Sequence, residues 1–258
     1  NMVELNKNYF ADCREVLKTI PDKSINLFLE DMPYNTTQCD WEYEVDLEEY
    51  WRLRLPKLAD KGLFVLTANQ PFTTDLIMSN RKMFKYEIVW LKSQATNFLN
   101  SKKQPLRRNE NIIVFYPKQC KYFPIITKKN PKNIRSVSLK NNSSQCYGEY
   151  KSGNYRSIPL DMSYPDNIIY AENQQENIHP TGKPIELFSY FIKTYTNEND
   201  IVFDGYSGSG TTAIACIRNN RKYIICENKK EYFDLQTKRI QEEIDKTSLF
   251  NSLTRAGK

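Results

Sequence analysis

Short apolar runs of strand length alternate with helical stretches along most of this chain, and this alternation restricts its fold more than any other feature. Such a pattern favours a mostly parallel sheet with helices on both faces. The predicted strands are 9–10, 25–30, 62–67, 86–91, 111–116, 201–203 and 222–226. The predicted helices are 47–58, 73–79, 185–194, 211–219 and 231–246. We therefore expect a doubly wound α/β fold.

The middle of the chain, residues 117–178, breaks this alternation. It is rich in Asn, Ser, Lys, Tyr and Pro and shows neither a helical nor a strand period. We expect an inserted, irregular region here. Residues 1–116 and 179–258 would together form the main domain on either side of it.

Composition narrows the chemistry. The chain has 258 residues, a formal net charge of +6, six cysteines and a single histidine. The cysteines form no C-x-x-C pair and the N-terminal residues show no secretion signal, so we expect reduced thiols and a cytoplasmic protein. No apolar run is long enough to span a membrane, and a histidine-rich metal centre is excluded.

Positive charge is concentrated between Lys92 and Lys140, where about a dozen Lys and Arg residues accompany the single acid Glu110. Aromatic residues such as Phe98 and Tyr122 are interleaved with them. A solvated basic face is one interpretation of such a run. Its density and its aromatic residues favour a surface that binds a polyanion.

A small-residue turn separates the predicted strand 201–203 from the helix that begins at Thr211. Its glycines, Gly205, Gly208 and Gly210, allow a ligand to approach the backbone, and N–H groups at the helix start point toward it. The spacing G-x-x-G-x-G differs from the G-x-G-x-x-G of dinucleotide dehydrogenases. The next strand leads into Glu227, a carboxylate suited to binding ribose hydroxyls. A tight turn beside a surface acid is the simpler alternative.

Three segments together resemble the beta-class, circularly permuted amino-methyltransferases of DNA. The segment D-G-Y-S-G-S-G-T-T at 204–212 is similar to that family's D-P-F-x-G-S-G-T-T motif, with Gly205 for proline and Tyr206 for phenylalanine. The segment H-P-T-G-K-P at 179–184 is similar to its H-P-T-x-K-P signature. D-M-P-Y at 31–34 resembles its D-P-P-Y tetrapeptide, with Met32 in place of a proline.

The resemblance implies a seven-stranded, mostly parallel, Rossmann-like methyltransferase sheet in which 111–116 is antiparallel and 25–30 lies beside 201–203. It implies S-adenosyl-L-methionine as cofactor, no metal, and the inserted region as the target-recognition region. The cofactor-binding residues it implies are Asp12, Asp31, His179, Thr181, Lys183, Asp204, Gly205, Tyr206, Ser207, Gly208, Gly210, Thr211, Thr212 and Glu227. For Asp12, a helix N-cap is an equally suitable role.

Asp31, Met32, Pro33 and Tyr34 would form the catalytic tetrapeptide. The lone pair of an exocyclic adenine amine is delocalised, so the amine is a weak nucleophile. A carboxylate from Asp31 and the carbonyl of Met32 could accept its two N–H groups and aim the lone pair at the methyl group. Pro33 still biases Met32 toward extended backbone. The target base has to be flipped out of the duplex, and Tyr34 could stack on it.

The order of the motifs, with the tetrapeptide before the cofactor turn, is the permuted arrangement of this family, and it favours double-stranded DNA as the substrate. Within the basic run, the residues predicted to bind DNA are Lys102, Lys103, Arg107, Arg108, Lys128 and Lys129. The resemblance also suggests a homodimer and a cognate restriction endonuclease as further partners.

The most specific interpretation is a site-specific DNA adenine N6-methyltransferase that works by direct in-line displacement. Cytosine N4 methylation is the alternative within this chemistry, although Asp31 favours adenine because cytosine-specific members more often begin the tetrapeptide with serine. A catalytically silent protein that binds S-adenosylmethionine or DNA is a second alternative. A dehydrogenase-like nucleotide binder is a third, against which the glycine spacing argues.

Overall fold

A computed structural model of the chain describes residues 3–34, 45–130, 158–159, 161–172 and 182–256, with side chains described as far as residue 248. The described residues up to Phe123 and from Asn167 onward form one compact unit. Those between Pro124 and Asp166 form a second, small unit. The predicted insertion, 117–178, thus begins earlier and ends later in the chain than the second unit.

Ten strands are present in the described part of the chain. They are β1 (Lys7–Phe10), β2 (Ile25–Glu30), β3 (Leu58–Ala68), β4 (Phe84–Thr96), β5 (Arg107–Phe115), β6 (Thr127–Lys128), β7 (Met162–Ser163), β8 (Ile168–Ala171), β9 (Ile201–Asp204) and β10 (Lys222–Glu227). Eight of them form the main sheet in the order β1-β10-β9-β2-β3-β5-β4-β8. The short strands β6 and β7 pair with each other in the second unit.

The sheet is parallel except at β5, which runs antiparallel to both β3 and β4. This confirms the predicted doubly wound fold with its antiparallel strand at 111–116. It also confirms that β2 and β9 are neighbours, with Leu27 opposite Val202 and Phe28 opposite Phe203. All seven predicted strands are present. β8 adds an eighth at the edge, and it comes from the segment that the sequence placed in the insertion.

Six α-helices lie in the main unit: α1 (Cys13–Thr19), α2 (Leu47–Arg54), α3 (Phe72–Ser79), α4 (Ile185–Tyr195), α5 (Thr211–Arg218) and α6 (Lys230–Ala256). The helix predicted to run to residue 58 ends instead at Arg54, and a 3-10 turn containing Pro56 follows. A proline ring is incompatible with a continued α-helix, which explains the early end. The last helix extends ten residues beyond its predicted end at 246.

Apolar side chains cover both faces of the sheet. Leu27 and Leu29 of β2 join the cluster that includes Phe191 of α4, and Phe28 joins the cluster on the opposite face with Phe64. Central parallel strands are buried on both faces, which is why β2 reads as a continuous apolar run rather than an alternating one. Because both faces of the sheet are covered, polar groups that bind a ligand are placed at the ends of the strands. Within the described residues, no helix has the length and apolar character required to cross a bilayer.

Candidate active site

The carboxyl ends of β2, β3, β9 and β10 border one cleft of about 990 Å³. Open α/β sheets bind ligands at this edge. Most of the residues predicted from sequence line it: Asp12, Asp31, Met32, Pro33, Tyr34, Lys183, Asp204, Gly205, Tyr206, Ser207, Gly208, Thr211, Thr212, Glu227 and Arg107. The structure therefore brings the predicted tetrapeptide and the predicted cofactor turn to the same cleft.

Asp31 follows β2 directly and lies at the base of the cleft. Its Oδ2 accepts from Lys183 Nζ at 2.6 Å, and its Oδ1 accepts from the Tyr34 hydroxyl at 2.5 Å. Oδ1 also accepts from the Thr67 hydroxyl, which belongs to β3. The carboxylate is thus held by groups from three separate segments, and its orientation is fixed before any substrate enters.

Lys183 connects Asp31 to a second carboxylate. Its ammonium group also lies 3.4 Å from Glu110 Oε2, and Glu110 in turn forms an ion pair with Lys92. These four side chains alternate in charge, and the two inner ones, Lys183 and Glu110, are buried. Buried charges are tolerated when each is paired, and this chain of pairs satisfies that condition.

The pKa of Asp31 reflects this environment. Burial is the largest influence and favours the neutral acid, but the charge of Lys183 and the hydrogen bonds from Lys183, Thr67 and Tyr34 outweigh it. Together they hold the pKa of Asp31 below its usual value, so the group is a carboxylate at neutral pH. Burial opposes the charge of Lys183 as well, yet Asp31 and Glu110 raise the pKa of Lys183.

The two residues on either side of Pro33 are anchored by packing. The side chain of Met32 is 1% exposed and belongs to the apolar cluster that contains Phe28 and Leu66. The Tyr34 ring stacks on Phe72 of α3 with centroids 5.5 Å apart. A proline at position 32 would restrict the backbone through its ring. Met32 is instead held in place by the packing of its buried side chain.

The turn after β9 is fixed by the buried side chain of Asp204. Its Oδ1 accepts from the backbone N–H of Tyr206 at 2.9 Å, and its Oδ2 accepts from the Thr212 hydroxyl. Desolvation by burial raises the pKa of Asp204 to about 8. Near neutral pH this residue is therefore mostly a neutral acid, which distinguishes it from Asp31 on the neighbouring strand.

Glycine is favoured at two positions of this turn because both have left-handed backbone, with φ of 48° at Gly208 and 82° at Gly210. Gly210 caps α5 and faces α6, where an added Cβ would lie 2.9 Å from Cβ of Gln236. Gly210 therefore allows two helices to pack closely, whereas Gly208 lines the cleft.

The acids at the ends of β1 and β10 both already hold backbone groups. Glu227 accepts from the N–H groups of Gly208 at 3.0 Å and Lys229 at 2.8 Å, and burial raises its pKa. Asp12 accepts from the N–H of Arg14 at 2.8 Å as the N-cap of α1 and pairs with the Arg14 guanidinium. The N-cap role predicted for Asp12 is thus present, and both carboxylates still border the cleft.

A buried ion pair lies directly behind the cleft. Glu30, the last residue of β2, and Arg54, the last residue of α2, are 0% and 1% exposed, and they form a two-pronged pair with N–O distances of 2.9 Å. Glu30 Oε1 also accepts the backbone N–H of Gly205 at 3.0 Å. A Cβ added to Gly205 would lie 2.8 Å from both the guanidinium and the carboxylate. This pair therefore ties β2 to the turn after β9, and it requires a residue with an N–H and no side chain at position 205.

Not every described cation of the basic run is an exposed, unpaired charge. Lys92 points to Glu110 within the site, and Lys121 pairs with Asp200 at 2.6 Å, so neither is a free surface cation. Lys102, Lys103 and Arg108 are exposed near the end of the β4–β5 hairpin, and Arg107 lines the cleft. Lys128 and Lys129 belong to the second unit, where Lys128 is exposed on β6.

Two predicted site residues, His179 and Thr181, lie outside the described residues. Three other side chains of the site were not anticipated: Thr67, which contacts Asp31, Glu110, which pairs with Lys183, and Lys92, which pairs with Glu110. Glu110 did carry a signal, as the only acid within a long basic run. Thr67 carried none, because a threonine at the end of an apolar strand is common.

The DNA methylase family model matches residues 25–239 of the chain. This chain belongs to that family. It is therefore an S-adenosylmethionine-dependent methyltransferase whose substrate is DNA.

One curated relative and two solved structures are similar to this chain. The DNA adenine methyltransferase YhdJ of Escherichia coli (strain K12) is 28% identical over 89% of this chain and 81% of its own length. The structure described as M1.HpyAVI–SAM complex superposes with a TM-score of 0.60 at 23% identity, covering 90% of this chain and 98% of the other. PvuII DNA methyltransferase, described as cytosine-N4-specific, superposes with a TM-score of 0.63 at 19% identity, covering 95% and 93%.

The cleft of this DNA methylase fits its cofactor. Its volume is at the upper end of the range for ligand sites, which leaves space for a nucleoside beside a second group. Left-handed Gly208 lets a ligand approach the turn, and Glu227 lies at the end of the adjacent strand. Hydrogen-bonding groups for both a nucleoside and an amino acid are present at this edge of the sheet.

Gly205→Pro restores the family's motif at the cofactor turn, yet we expect it to destabilise this protein. Proline removes the N–H that Glu30 accepts and places a ring against Arg54. The lost hydrogen bond to a buried charge and the overpacking together should lower the free energy of unfolding by about 2–5 kcal/mol, measured by urea denaturation. Gly205→Ala, which keeps the N–H, separates the steric part of the loss. Unchanged stability of Gly205→Pro would contradict this account of the turn.

Asp204→Asn tests the neutral state of the buried acid. Because the pKa of Asp204 is raised from 3.8 to about 8, the folded state binds a proton that the unfolded state has released across this interval. The stability that this proton provides is complete below the unfolded pKa and is lost as pH rises through about 8. We expect urea denaturation between pH 5 and pH 9 to show a decline for the original chain that is smaller in the variant. Parallel curves for the two proteins would contradict the assignment.

Proposed function

We propose that this protein methylates N6 of adenine in double-stranded DNA at a specific sequence. The observation that carries the proposal is the Asp31 carboxylate, oriented and kept ionised at the base of the cleft by Lys183, Tyr34 and Thr67. A hydrogen-bond acceptor with a fixed direction is what an exocyclic amine requires, because its lone pair must be drawn out of conjugation with the ring.

Asp31 retains capacity to accept a further hydrogen bond. An ionised carboxylate offers about four lone-pair sites. Tyr34 and Thr67 contact Oδ1, and Lys183 contacts Oδ2. An acceptor position on Oδ2 is left for an amine N–H, and the carbonyl of Met32 would accept the second N–H. The burial of the Met32 side chain supports this, because it restrains the backbone that carries the carbonyl.

The lowered pKa assigns Asp31 a specific role. A carboxylate whose pKa lies below its usual value is a poor proton acceptor near neutral pH, so Asp31 would orient the amine rather than deprotonate it. The amine loses its proton after it has become cationic, and water at the mouth of the cleft can receive it. The rate enhancement would come from positioning and electrostatics.

The flipped base would lie against Tyr34. Its ring stacks on Phe72, and the Lys183 ammonium lies 5.9 Å from the ring centroid. Stacking on such a ring contributes about 1–3 kcal/mol per base. This stacking energy offsets part of the cost of flipping the base, which is roughly a few kcal/mol.

The cofactor would be held at the turn after β9 and at the end of β10. The proposed binding residues in the described part of the chain are Asp12, Asp31, Lys183, Asp204, Gly205, Tyr206, Ser207, Gly208, Gly210, Thr211, Thr212 and Glu227. Gly205 and Gly210 would act mainly through the shape of the turn. When bound, S-adenosylmethionine supplies an electrophilic methyl group on a sulfonium sulfur.

Adenine is favoured over cytosine by the acid at position 31 and by the similarity to YhdJ, which is described as an adenine methyltransferase. The family also contains enzymes described as cytosine-N4-specific. A homodimer, a cognate restriction endonuclease and a cytoplasmic location stay predictions.

The acceptor base can be identified with labelled cofactor and two sets of duplexes: the adenine duplexes, in which every cytosine is replaced by an analogue without the exocyclic amine, and the cytosine duplexes, in which every adenine is so replaced. We expect label in the adenine duplexes only. Asp31→Ala should lower kcat by at least about 100-fold, as for loss of one oriented electrostatic group. It should weaken cofactor binding by no more than a few-fold, since most of the proposed cofactor-binding residues lie at the turn after β9 and at the end of β10. Asp60→Ala, at an exposed acid of β3, is the control.

Label in cytosine duplexes only would establish N4 methylation instead. Absence of label from both sets, with DNA binding intact, would leave a silent binding protein. Normal turnover by Asp31→Ala would refute the role of that carboxylate.

Reversing the charges of Arg107 and Arg108 tests the proposed DNA surface. If these side chains neutralise phosphates, Arg107→Glu with Arg108→Glu should weaken binding and reduce the slope of log K against log salt by about 1 per lost contact. The control is Lys18→Glu with Lys61→Glu, which changes net charge equally at two exposed positions elsewhere in the chain. Equal slopes for the two double variants would move the DNA surface elsewhere.

A further inference from the structure

The β4–β5 hairpin ends in an ordered tip. Thr96 pairs with Arg107 at its base, and Asn97 then adopts a left-handed conformation with φ of 75°. A 3-10 turn spans Phe98–Asn100. Backbone hydrogen bonds at 2.8–3.1 Å close the tip, from Asn100 to Asn97 and from Lys103 to Asn100 among others. Its conformation is therefore set by its own hydrogen bonds.

This ordered tip presents apolar side chains to solvent. Leu99 is 99% exposed and Phe98 is 66% exposed. Isolated exposed apolar residues are ordinary, but a hydrogen-bonded turn that projects two adjacent ones is not explained by folding, since neither is buried. The tip also borders the cleft, which Asn97, Asn100 and Gln104 line together with Asp31.

The charges around the tip select its partner. Lys102 and Lys103 are exposed three and four residues after Leu99, and Arg107 and the exposed Arg108 lie at the base of the hairpin. A second copy of this chain docking tip to tip would bring these like charges together. A nucleic acid duplex would neutralise them with its phosphates. On a duplex, the exposed apolar residues could be buried only against an apolar surface. The base faces exposed where the stack is disrupted provide such a surface.

We propose that Leu99, supported by Phe98, is a wedge that enters the base stack where the target base has been extruded. This inference rests on the proposed function, since extrusion is needed only if a base is modified in the cleft. Removing a base exposes the faces of its neighbours to water, and an apolar side chain inserted between them restores contact. The basic residues of the tip hold the flanking backbone, while Asp31 and Tyr34 receive the base.

The wedge can be tested with Leu99→Ala on a duplex that carries the methylated sequence, once host DNA sequencing with modified-base detection has defined it. We expect kcat/KM to fall by about tenfold on the paired duplex, on the scale of lost base stacking. On the same duplex with a mismatched base opposite the target, the loss should shrink to about twofold, because a mismatched base is already partly released. With 2-aminopurine at the target position, the fluorescence rise on binding should decrease in parallel.

Two further variants serve as controls. Leu99→Met keeps an apolar side chain of similar length and should retain most activity on the paired duplex. Leu5→Ala removes another exposed leucine, which does not border the cleft, and should have no effect.

The outcomes separate this inference from the function on which it rests. Unchanged activity of Leu99→Ala on the paired duplex, or an equal loss on paired and mismatched duplexes, overturns the wedge alone. A shift from dimer to monomer in Leu99→Ala, without the mismatch rescue, also overturns it and assigns the tip to self-association. Failure of the unaltered protein to methylate any duplex overturns both proposals.

Discussion

The buried ion pair between Glu30 and Arg54 is the interaction on which the site depends. It lies where β2 ends, and its carboxylate also accepts the N–H of Gly205 at the start of the cofactor turn. Breaking such a pair costs about 3–5 kcal/mol because the remaining charge is left without a partner. This ion pair therefore stabilises the packing of β2, α2 and the turn after β9 against one another. Asp31 directly follows Glu30 in the chain, so its position is restrained by this arrangement.

A second set of charges runs across the other side of the cleft. Lys183 joins Asp31 to Glu110, and Glu110 joins Lys183 to Lys92. Lys92 and Glu110 belong to β4 and β5, the two strands whose hairpin tip carries Leu99. The same hairpin thus contributes both to the electrostatic setting of Asp31 and to the surface proposed to contact DNA.

The two departures from the family's motifs have separate physical compensations. Met32 lacks the restraint of a proline ring, but its buried side chain fixes the segment by packing. Gly205 lacks the same restraint, but it gains an N–H that holds Glu30 and leaves space for Arg54. In both places a covalent restraint on the backbone is replaced by a tertiary contact. Such replacements are seen only when the residues that supply the contact are located.

The sequence by itself determined the elements and the motifs, because strand and helix periods and small-residue turns are local signals that survive without tertiary information. The doubly wound sheet followed from these signals, and the neighbouring positions of β2 and β9 followed from the resemblance of the motifs to the family. Only the tertiary structure decided which members of the basic run face solvent. Lys92 and Lys102 are alike in sequence, yet one is paired with Glu110 inside the site and the other is exposed. It also decided that β8 joins the sheet and that Thr67 and Glu30 hold the site together. These outcomes depend on contacts between residues far apart in the chain, and such contacts leave no pattern in the local sequence.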